Sequence, residues 1–138
     1  KGAMLTHGNM LSNAVMLKDY WGWTATGGPD GKGDVLIHAL PIFHVHGLFV
    51  ALHTALLNGV TMHWLAKFDA NQVLKLLPQS TVMMGVPTFY TRLLETPAFG
   101  KAQCGKMRLF ISGSAPLLAE THVEFEARTG HKILERSA

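Results

Sequence analysis

Cysteine and charge are both scarce in this chain of 138 residues. Cys104 is its single cysteine and therefore cannot form an internal disulfide, which makes a reducing cytoplasm the expected compartment. Only 15% of the residues are charged, against about a quarter in typical soluble domains. The 12 Lys and Arg residues are scattered and give a net charge of +3, so no basic stripe for nucleic acid is expected.

Long hydrophobic runs are also lacking, although 48% of the residues are hydrophobic. His, Gly, Asn or Lys interrupts each apolar run well before the roughly 20 residues that cross a bilayer, so no membrane span is expected. The first residues, KGAMLTHGN, lack the sections of a secretory signal. The length suits one domain with one core. The high apolar content predicts that part of its surface meets a partner.

Short apolar runs alternate along the chain with segments of helical periodicity. The runs are DVLIHAL, VTMHWLA, TVMMGV, MRLFISG and KILE. Between them lie HGLFVALHTALLNG, DANQVLKLLPQ, PTFYTRLLET and LLAETHVEFEARTG, which predict helices. A strand and helix alternation of this kind predicts an α/β fold with a largely parallel sheet over residues 1–138.

Residues near the predicted helix ends fix several boundaries. Thr6 is a candidate N-cap of a first helix that ends near Trp23, and Pro87 and Gly130 mark a helix start and a helix stop. Residues 24–34, rich in Gly, Pro and Asp, predict a surface loop. We expect tryptophans such as Trp64 to pack in the core.

The segment LIHALPIFHVHGLF places two histidines just after a buried strand. In open α/β sheets ligands bind beyond the carboxyl ends of the strands, so His44 and His46 are candidate pocket residues. Together with His38 and His53 they are also candidate metal ligands, but no nearby acid or cysteine completes a metal site. The alternative is that these histidines are satisfied polar groups in a packed turn.

A turn of small residues follows the fourth run: Ser112, Gly113, Ser114, Ala115 and Pro116. Small side chains let a flat or charged ligand approach the backbone, although an ordinary strand-to-helix turn looks the same in sequence. The turn departs from the Gly-X-Ser-X-Gly pattern of serine hydrolases, which disfavours Ser114 as a nucleophile. A hydrolase that pairs Ser114 with a histidine is kept as a rival hypothesis.

Two arginines are candidates for gripping a carboxylate with paired hydrogen bonds. Arg92 follows the third strand by about two helical turns, and Arg136 stands near the chain end. The alternative for Arg92 is a surface pair with Glu95 or Glu126, and Arg136 has the same ambiguity with Glu135.

Several motifs together resemble the adenylate-forming acyl-CoA synthetases. KGAMLTH resembles the end of the family's phosphate-binding loop, LPIFHVHG the motif that shapes the acid and pantetheine pocket, and ISGSAPL with ILER the adenine-binding turn and its sequel. The wording of these segments is most similar to that of malonyl-CoA synthetases. The chain thus resembles an internal piece of the large N-terminal domain, without the mobile C-terminal lid domain. Ser137 and Ala138 stand where the family has Tyr-Gly-Met-Thr-Glu.

The resemblance implies an AMP-forming acid–CoA ligase that uses ATP, Mg²⁺ and CoA and activates malonate, whose second carboxylate needs a cationic partner. Substrate contacts are implied for His44, Arg92, Ser112 and Arg136. Nucleotide contacts are implied for Lys1, Gly2, Gly113, Ser114, Ala115, Pro116 and Glu135. No catalytic residue or metal ligand is expected within the chain, so by itself it is expected to be inactive. An inert sub-domain with residual nucleotide or acid binding, or a broader acyl-CoA synthetase, stays open, and so does the choice between malonate and methylmalonate.

Overall fold

The fold is taken from a computed structural model that describes residues 1–27 and 32–136. Its strands are β1 (Val35–His38), β2 (Thr61–Trp64), β3 (Val82–Gly85), β4 (Leu109–Gly113) and β5 (Ile133–Arg136). Its α-helices are α1 (His7–Trp21), α2 (His53–Leu57), α3 (Ala70–Leu76), α4 (Pro87–Leu94) and α5 (Ala119–Thr129). A π-helix, His46–Leu52, runs into α2, and short 3₁₀ turns cover Leu77–Gln79 and Lys101–Cys104.

The strands form one five-stranded sheet in the order β2-β1-β3-β4-β5, and each neighbouring pair is parallel. The prediction of an α/β fold with a parallel sheet is therefore confirmed. Parallel strands need crossover connections, and the helices between the apolar runs supply them. β3 is buried at every position, as expected of a central strand covered on both faces.

Each face of the sheet carries its own hydrophobic cluster. Alternate strand residues such as Ile37, Met83 and Phe110 point toward α3, α4 and α5. Their neighbours Leu36, Met84 and Ile111 point toward α1 and the π-helix. The two clusters fix which helix stands over which face, and so which side chains meet at the strand ends.

The predicted boundaries of α1 are confirmed at its start and shifted at its end. Thr6 accepts a hydrogen bond from the Asn9 amide, and the Asn9 side chain accepts from the Thr6 amide in return. The helix ends at Trp21, two residues earlier than expected, because Gly22 adopts a left-handed φ of 64° as its C-cap. Residues 28–31 of the predicted 24–34 loop lie outside the described residues.

An ion pair joins the starts of two strands at the amino edge of the sheet. The Arg108 side chain donates to both carboxylate oxygens of Asp34, at 2.8 and 2.7 Å, and also to the Trp21 carbonyl that ends α1. Thr81 donates to the same carboxylate at 2.7 Å. This network ties α1, β1 and β4 together on the side of the sheet opposite to the strand ends discussed below. Across the part of the chain that the structure describes, no helix has the length and apolarity that a bilayer crossing requires.

Candidate functional site

The carboxyl ends of the strands bring four of the notable residues to one edge. In the sheet register His38 lies beside Trp64 and Met84, and Gly113 lies beside Arg136. Crevices at this edge are where open α/β sheets bind ligands. The edge is therefore the candidate site.

His46 is the histidine that turns into this edge. It begins the π-helix, is only 7% exposed, and its ring lies against Gly113. A Cβ at residue 113 would come within 3.0 Å of its Cε1 and 3.3 Å of its Nδ1. The glycine thus provides the space in which the imidazole lies, next to the backbone of the turn after β4.

His44, which the sequence favoured, is exposed and contacts the Phe43 ring at 4.6 Å. His46 was noted but not chosen, because two histidines two residues apart cannot be ranked before the backbone of the turn is known. Its substrate role in place of His44 is untested, so both assignments stay predictions.

Burial, with smaller contributions from the charges of Arg136 and His38, lowers the pKa of His46 to about 4. The ring is therefore neutral near pH 7. Its Nε2 has no hydrogen-bond partner among the described residues. A buried polar atom without a partner is costly, so this nitrogen is a natural contact for a bound polar group.

Ser114 holds a strained position beside the same ring. It is the one non-glycine residue in the described part of the chain with a positive φ, 70°, and its Oγ lies 3.4 Å from Nδ1 of His46. Strain of this kind clusters at functional sites. Ser114, Ala115 and Pro116 are exposed, so the turn of small residues is open to a ligand.

Ser112 points to the other face of the sheet. It is completely buried on β4, and its Oγ lacks a partner within residues 1–27 and 32–136. Tyr90 donates its hydroxyl hydrogen to the carbonyl of the neighbouring Ile111. The predicted substrate contact of Ser112 requires that the surrounding packing open, and it stays a prediction.

Arg92 lines an open cavity of about 600 Å³ on the face that carries α3 and α4. Its guanidinium lies 5.3 Å from the centre of the Phe68 ring, which in turn stacks on Phe89 at 4.3 Å. Pro41 and Phe43, from the histidine-rich turn, line the same cavity. Arg92 therefore shares a cavity with part of this turn, and its substrate contact stays a prediction. Arg92 makes a cation–π contact with the Phe68 ring, and among the described residues no ion pair joins it to Glu95 or Glu126.

Arg136 lies on the opposite face of the sheet. It lines a cavity of about 360 Å³ with Leu17, Tyr20 and Trp21 of α1, and a smaller one with Asn9 and Asn13. The structure therefore does not bring Arg92 and Arg136 into one pocket. A joint grip of both arginines on one distal carboxylate is not what this arrangement favours, and each role stays a separate prediction.

The remaining predicted nucleotide contacts differ in their surroundings. Lys1 and Gly2 are exposed, and nothing lies within 4 Å of a Cβ built on Gly2. Glu135 accepts a hydrogen bond from the Leu117 amide at 2.6 Å and pairs with His122 at 3.3 Å. The Leu117 hydrogen bond lowers the pKa of Glu135, and the pair with His122 adds to this. Glu135 thus fastens the turn after β4 to β5.

The histidines and acids do not assemble a metal centre. Within residues 1–27 and 32–136, no three His, Cys, Asp or Glu side chains are grouped closely enough to hold an ion. Because Mg²⁺ commonly takes only one or two protein carboxylates beside phosphates and waters, the described residues offer no all-protein cage for it, and no ligand is assigned to the implied ion.

Comparison with known proteins gives the family of this chain. A family model described as "AMP-binding enzyme" matches residues 1–136. The chain belongs to the AMP-binding enzyme family. The resemblance predicted from KGAMLTH, LPIFHVHG and ISGSAPL is therefore confirmed at the level of the family.

Several proteins are similar to this chain over nearly its whole length. The mitochondrial malonate–CoA ligase ACSF3 of Mus musculus is 37% identical over 99% of this chain and 25% of its own length. The ATP-bound structure of MatB from Rhodopseudomonas palustris is 55% identical, with a TM-score of 0.91, over 100% of this chain and 26% of its own. A malonyl-CoA ligase complex with methylmalonyl-CoA and AMP is 34% identical, with a TM-score of 0.88, over 100% and 29%.

The chain spans about a quarter of the length of the curated AMP-binding enzymes that it matches. The fold prediction, a part of the N-terminal domain of adenylate-forming enzymes, is confirmed by the likeness to the MatB structure. The cytoplasmic location stays a prediction, since the mouse relative is named as mitochondrial.

Proposed function

We propose that the protein to which this chain belongs is an AMP-forming acid–CoA ligase that activates malonate. The observation that carries the proposal is Arg92, an exposed cation that lies against the Phe68 ring and lines an open cavity at the carboxyl edge of the sheet. The likeness to malonate–CoA ligases along the whole chain supports the same reaction. An ionised carboxylate buried without a partner costs several kcal/mol, and an arginine in the acid pocket removes that cost.

The reaction has two half-reactions. A carboxylate oxygen of malonate attacks the α-phosphorus of ATP, the bond to the β-phosphate oxygen breaks, and the products are malonyl-adenylate and pyrophosphate. The thiol of CoA then loses its proton and attacks the acyl carbon, and AMP leaves with the electrons of the broken C–O bond. The first step depends on holding charged reactants in line, which is the usual protein contribution to phosphoryl chemistry. The second step, an acyl transfer, depends on orienting the thiol toward the acyl carbon.

The residues of this chain contribute binding and orientation. We infer that Arg92 receives the distal carboxylate of malonate, on the face of the sheet that carries α4. The turn Gly113–Pro116 offers an open backbone to the adenine ring, and the unpartnered Nε2 of His46 offers a polar contact beside it. Because the described residues gather no metal ligands, we assign no step of the reaction to a metal held by this chain.

The catalytic unit is proposed to need the rest of the longer protein. The chain spans about a quarter of its relatives' length, and the resemblance implies a mobile C-terminal lid domain outside it. ATP and CoA are its proposed co-substrates, as the complexes of related enzymes suggest. The chain alone is expected to bind ligands weakly and to turn none over.

A serine hydrolase remains the rival suggested by one observation, the 3.4 Å approach of Ser114 Oγ to His46 Nδ1. Such enzymes need an imidazole that accepts a proton near neutral pH and a third group that orients it. Here burial lowers the pKa of His46 to about 4, and its Nε2 has no orienting partner in the described part of the chain. This geometry disfavours the rival, and an active-site serine probe is expected to leave Ser114 unlabelled.

The proposal is tested by acid-dependent pyrophosphate release from ATP by the full-length protein. Malonate, methylmalonate, succinate, acetate and octanoate are compared at equal concentration. The expected result is release with malonate well above acetate and octanoate. A preference for a monocarboxylate would keep the adenylating chemistry but contradict malonate, and no release with any acid would contradict the ligase.

A further inference from the structure

His38 is a buried imidazole at the end of β1 for which the proposed chemistry has no direct use. It is 1% exposed, and its ring stacks on Trp64 with 4.5 Å between centroids. Its Nε2 lies 2.9 Å from the Gly47 carbonyl oxygen. A carbonyl only accepts, so Nε2 carries the proton and donates it. Trp64 is 48% exposed and covers this imidazole at the edge of the sheet, a position that differs from the core packing expected for it.

Gly47 lies in the first turn of the π-helix. Val45, the residue before this helix, makes no side-chain capping bond. A Cβ on Gly47 would come within 2.2 Å of the Pro41 carbonyl oxygen, so the turn from 41 to 47 is closed tightly. The hydrogen bond from His38 adds a side-chain contact between β1 and this turn. Single π-helical turns are rare and frequently occur at functional sites.

His46 is the residue directly before Gly47 in the π-helix. The His46 ring lies so close to Gly113 that a Cβ at this residue would stand 3.0 Å from its Cε1. The Gly47 carbonyl belongs to the peptide that joins Gly47 to Leu48, so the hydrogen bond from His38 restrains the ψ angle of Gly47 and, through that residue, the segment that carries His46. The hydrogen bond between His38 and Gly47 thus influences the position of the His46 ring against the turn after β4.

We propose that His38 is a positioning residue that holds His46 over Gly113 through its hydrogen bond to the Gly47 carbonyl. The proposal rests on the proposed ligase function for its kinetic consequence, but its geometric content is independent of the substrate. His38 contacts no predicted substrate atom itself. Its effect on activity must therefore vanish when His46 is absent.

The kinetic test compares variants of the full-length protein in malonate-dependent pyrophosphate release. His38→Met, which removes the donor at similar volume, is expected to lower kcat/KM by about ten-fold, the size of one lost hydrogen bond. His38→Gln, whose amide can donate to Gly47, is expected to recover most of the loss. The double variant His38→Met with His46→Ala is expected to be no worse than His46→Ala alone. His63→Leu is the matched control, because His63 neighbours Trp64 on β2 but lies on the opposite face of the sheet from Trp64 and His38.

A second readout does not depend on activity. The ring Cε1–H resonance of His46, assigned by its loss in His46→Ala, is expected to move in His38→Met and to stay in His38→Gln. If His38→Met fails to fold, Trp64→Leu replaces it, since that variant removes the ring on which His38 stacks at the sheet edge. A His46 resonance that does not respond to these changes would overturn the positioning role, as would losses of kcat/KM that simply add in the double variant. A wild-type protein that releases no pyrophosphate with any acid would instead contradict the ligase function and leave the resonance test decisive.

Discussion

The imidazole of His46 occupies the space that a side chain on Gly113 would need. A Cβ there would come within 3.0 Å of Cε1 and 3.3 Å of Nδ1 of the ring. The two residues come from different strand ends, one from the π-helix after β1 and one from the end of β4. Their contact therefore reports whether the two halves of the candidate site are correctly assembled.

Gly113→Ala is expected to displace the His46 ring by a few tenths of an ångström. Small displacements at a reacting centre are expensive, so we expect malonate kcat/KM to fall by about ten-fold or more. The free energy of unfolding should fall by only about 1 kcal/mol, typical of a mild overpacking. The matched control is Gly105→Ala, where nothing lies within 4 Å and φ is −61°. Equal kinetics for the two variants would show that the contact has no functional weight.

The ion pair of Arg108 and Asp34 is expected to contribute more to the free energy of unfolding than the other ion pairs of the described residues. Arg108→Met leaves the Asp34 carboxylate, whose side chain is 3% exposed, without its cation. Since Arg108 itself is 38% exposed, we expect a loss of about 2 kcal/mol in urea unfolding, below the range for fully buried pairs. Glu124→Gln removes a surface pair at 3.7 Å to Arg128 and should cost about 0.5 kcal/mol or less. Similar losses of unfolding free energy in Arg108→Met and Glu124→Gln would contradict the larger contribution expected of the Arg108–Asp34 pair.

Stability is expected to fall as the pH decreases from about 6.5 to about 4, because of His46. The unfolded chain takes up a proton at the ordinary histidine pKa of 6.5, whereas burial lowers the pKa of the folded form to about 4. The contribution is fully present above the unfolded pKa and amounts to about 3 kcal/mol when it is lost completely. His46→Leu should flatten this part of the curve, and His7→Leu, on the exposed first turn of α1, should not. If stability depended on pH in His46→Leu as it does in the wild type, the lowered pKa of His46 would be contradicted.

A lower pH window belongs to Asp34. Burial alone would raise the pKa of this carboxyl, but hydrogen bonds from Arg108, Thr81 and Thr24 together lower it below its ordinary value of 3.8. Its contribution is therefore present above 3.8 and is lost only as the pH falls further. The two windows separate the histidine at the candidate site from the ion pair at the opposite edge of the sheet.

Arg92→Met is expected to discriminate between acids. The loss of transition-state stabilisation for malonate, calculated from the ratio of kcat/KM values, should be about 2 to 5 kcal/mol, the cost of leaving a buried carboxylate without its partner. The kcat/KM for acetate should change far less. Lys75→Met, which removes a cation from α3 outside the cavity, is the control. A loss of the same size for acetate would mean that Arg92 supports the fold or the reaction in general and not the second carboxylate.

The regular fold was predictable because local signals agree with the global pattern. The apolar runs gave each strand, and Thr6, Pro87 and Gly130 stand at the helix ends where their chemistry places them. The exact end of α1 was missed because Gly22 is a stronger stop than the apolar pattern that continues to Trp23. These are short-range effects that the sequence carries openly.

The site was less predictable because it depends on faces and on long-range contacts. Arg92 lies on helix α4 and Arg136 on strand β5, and they line cavities on opposite faces of the sheet, which the separate motifs do not reveal. The choice between His44 and His46 depends on the π-helical turn, for which no local sequence signal was recognised. The bond of His38 to Gly47 likewise appears only when β1 and the π-helix are packed together.

The central claim is tested most directly by the products that the full-length protein forms from malonate, ATP and CoA. Mass spectrometry of the quenched reaction should show malonyl-CoA and AMP in equal amounts, with neither formed when malonate is omitted. The appearance of ADP in place of AMP, or of AMP without any CoA thioester, would contradict the proposed malonate-activating, AMP-forming ligase.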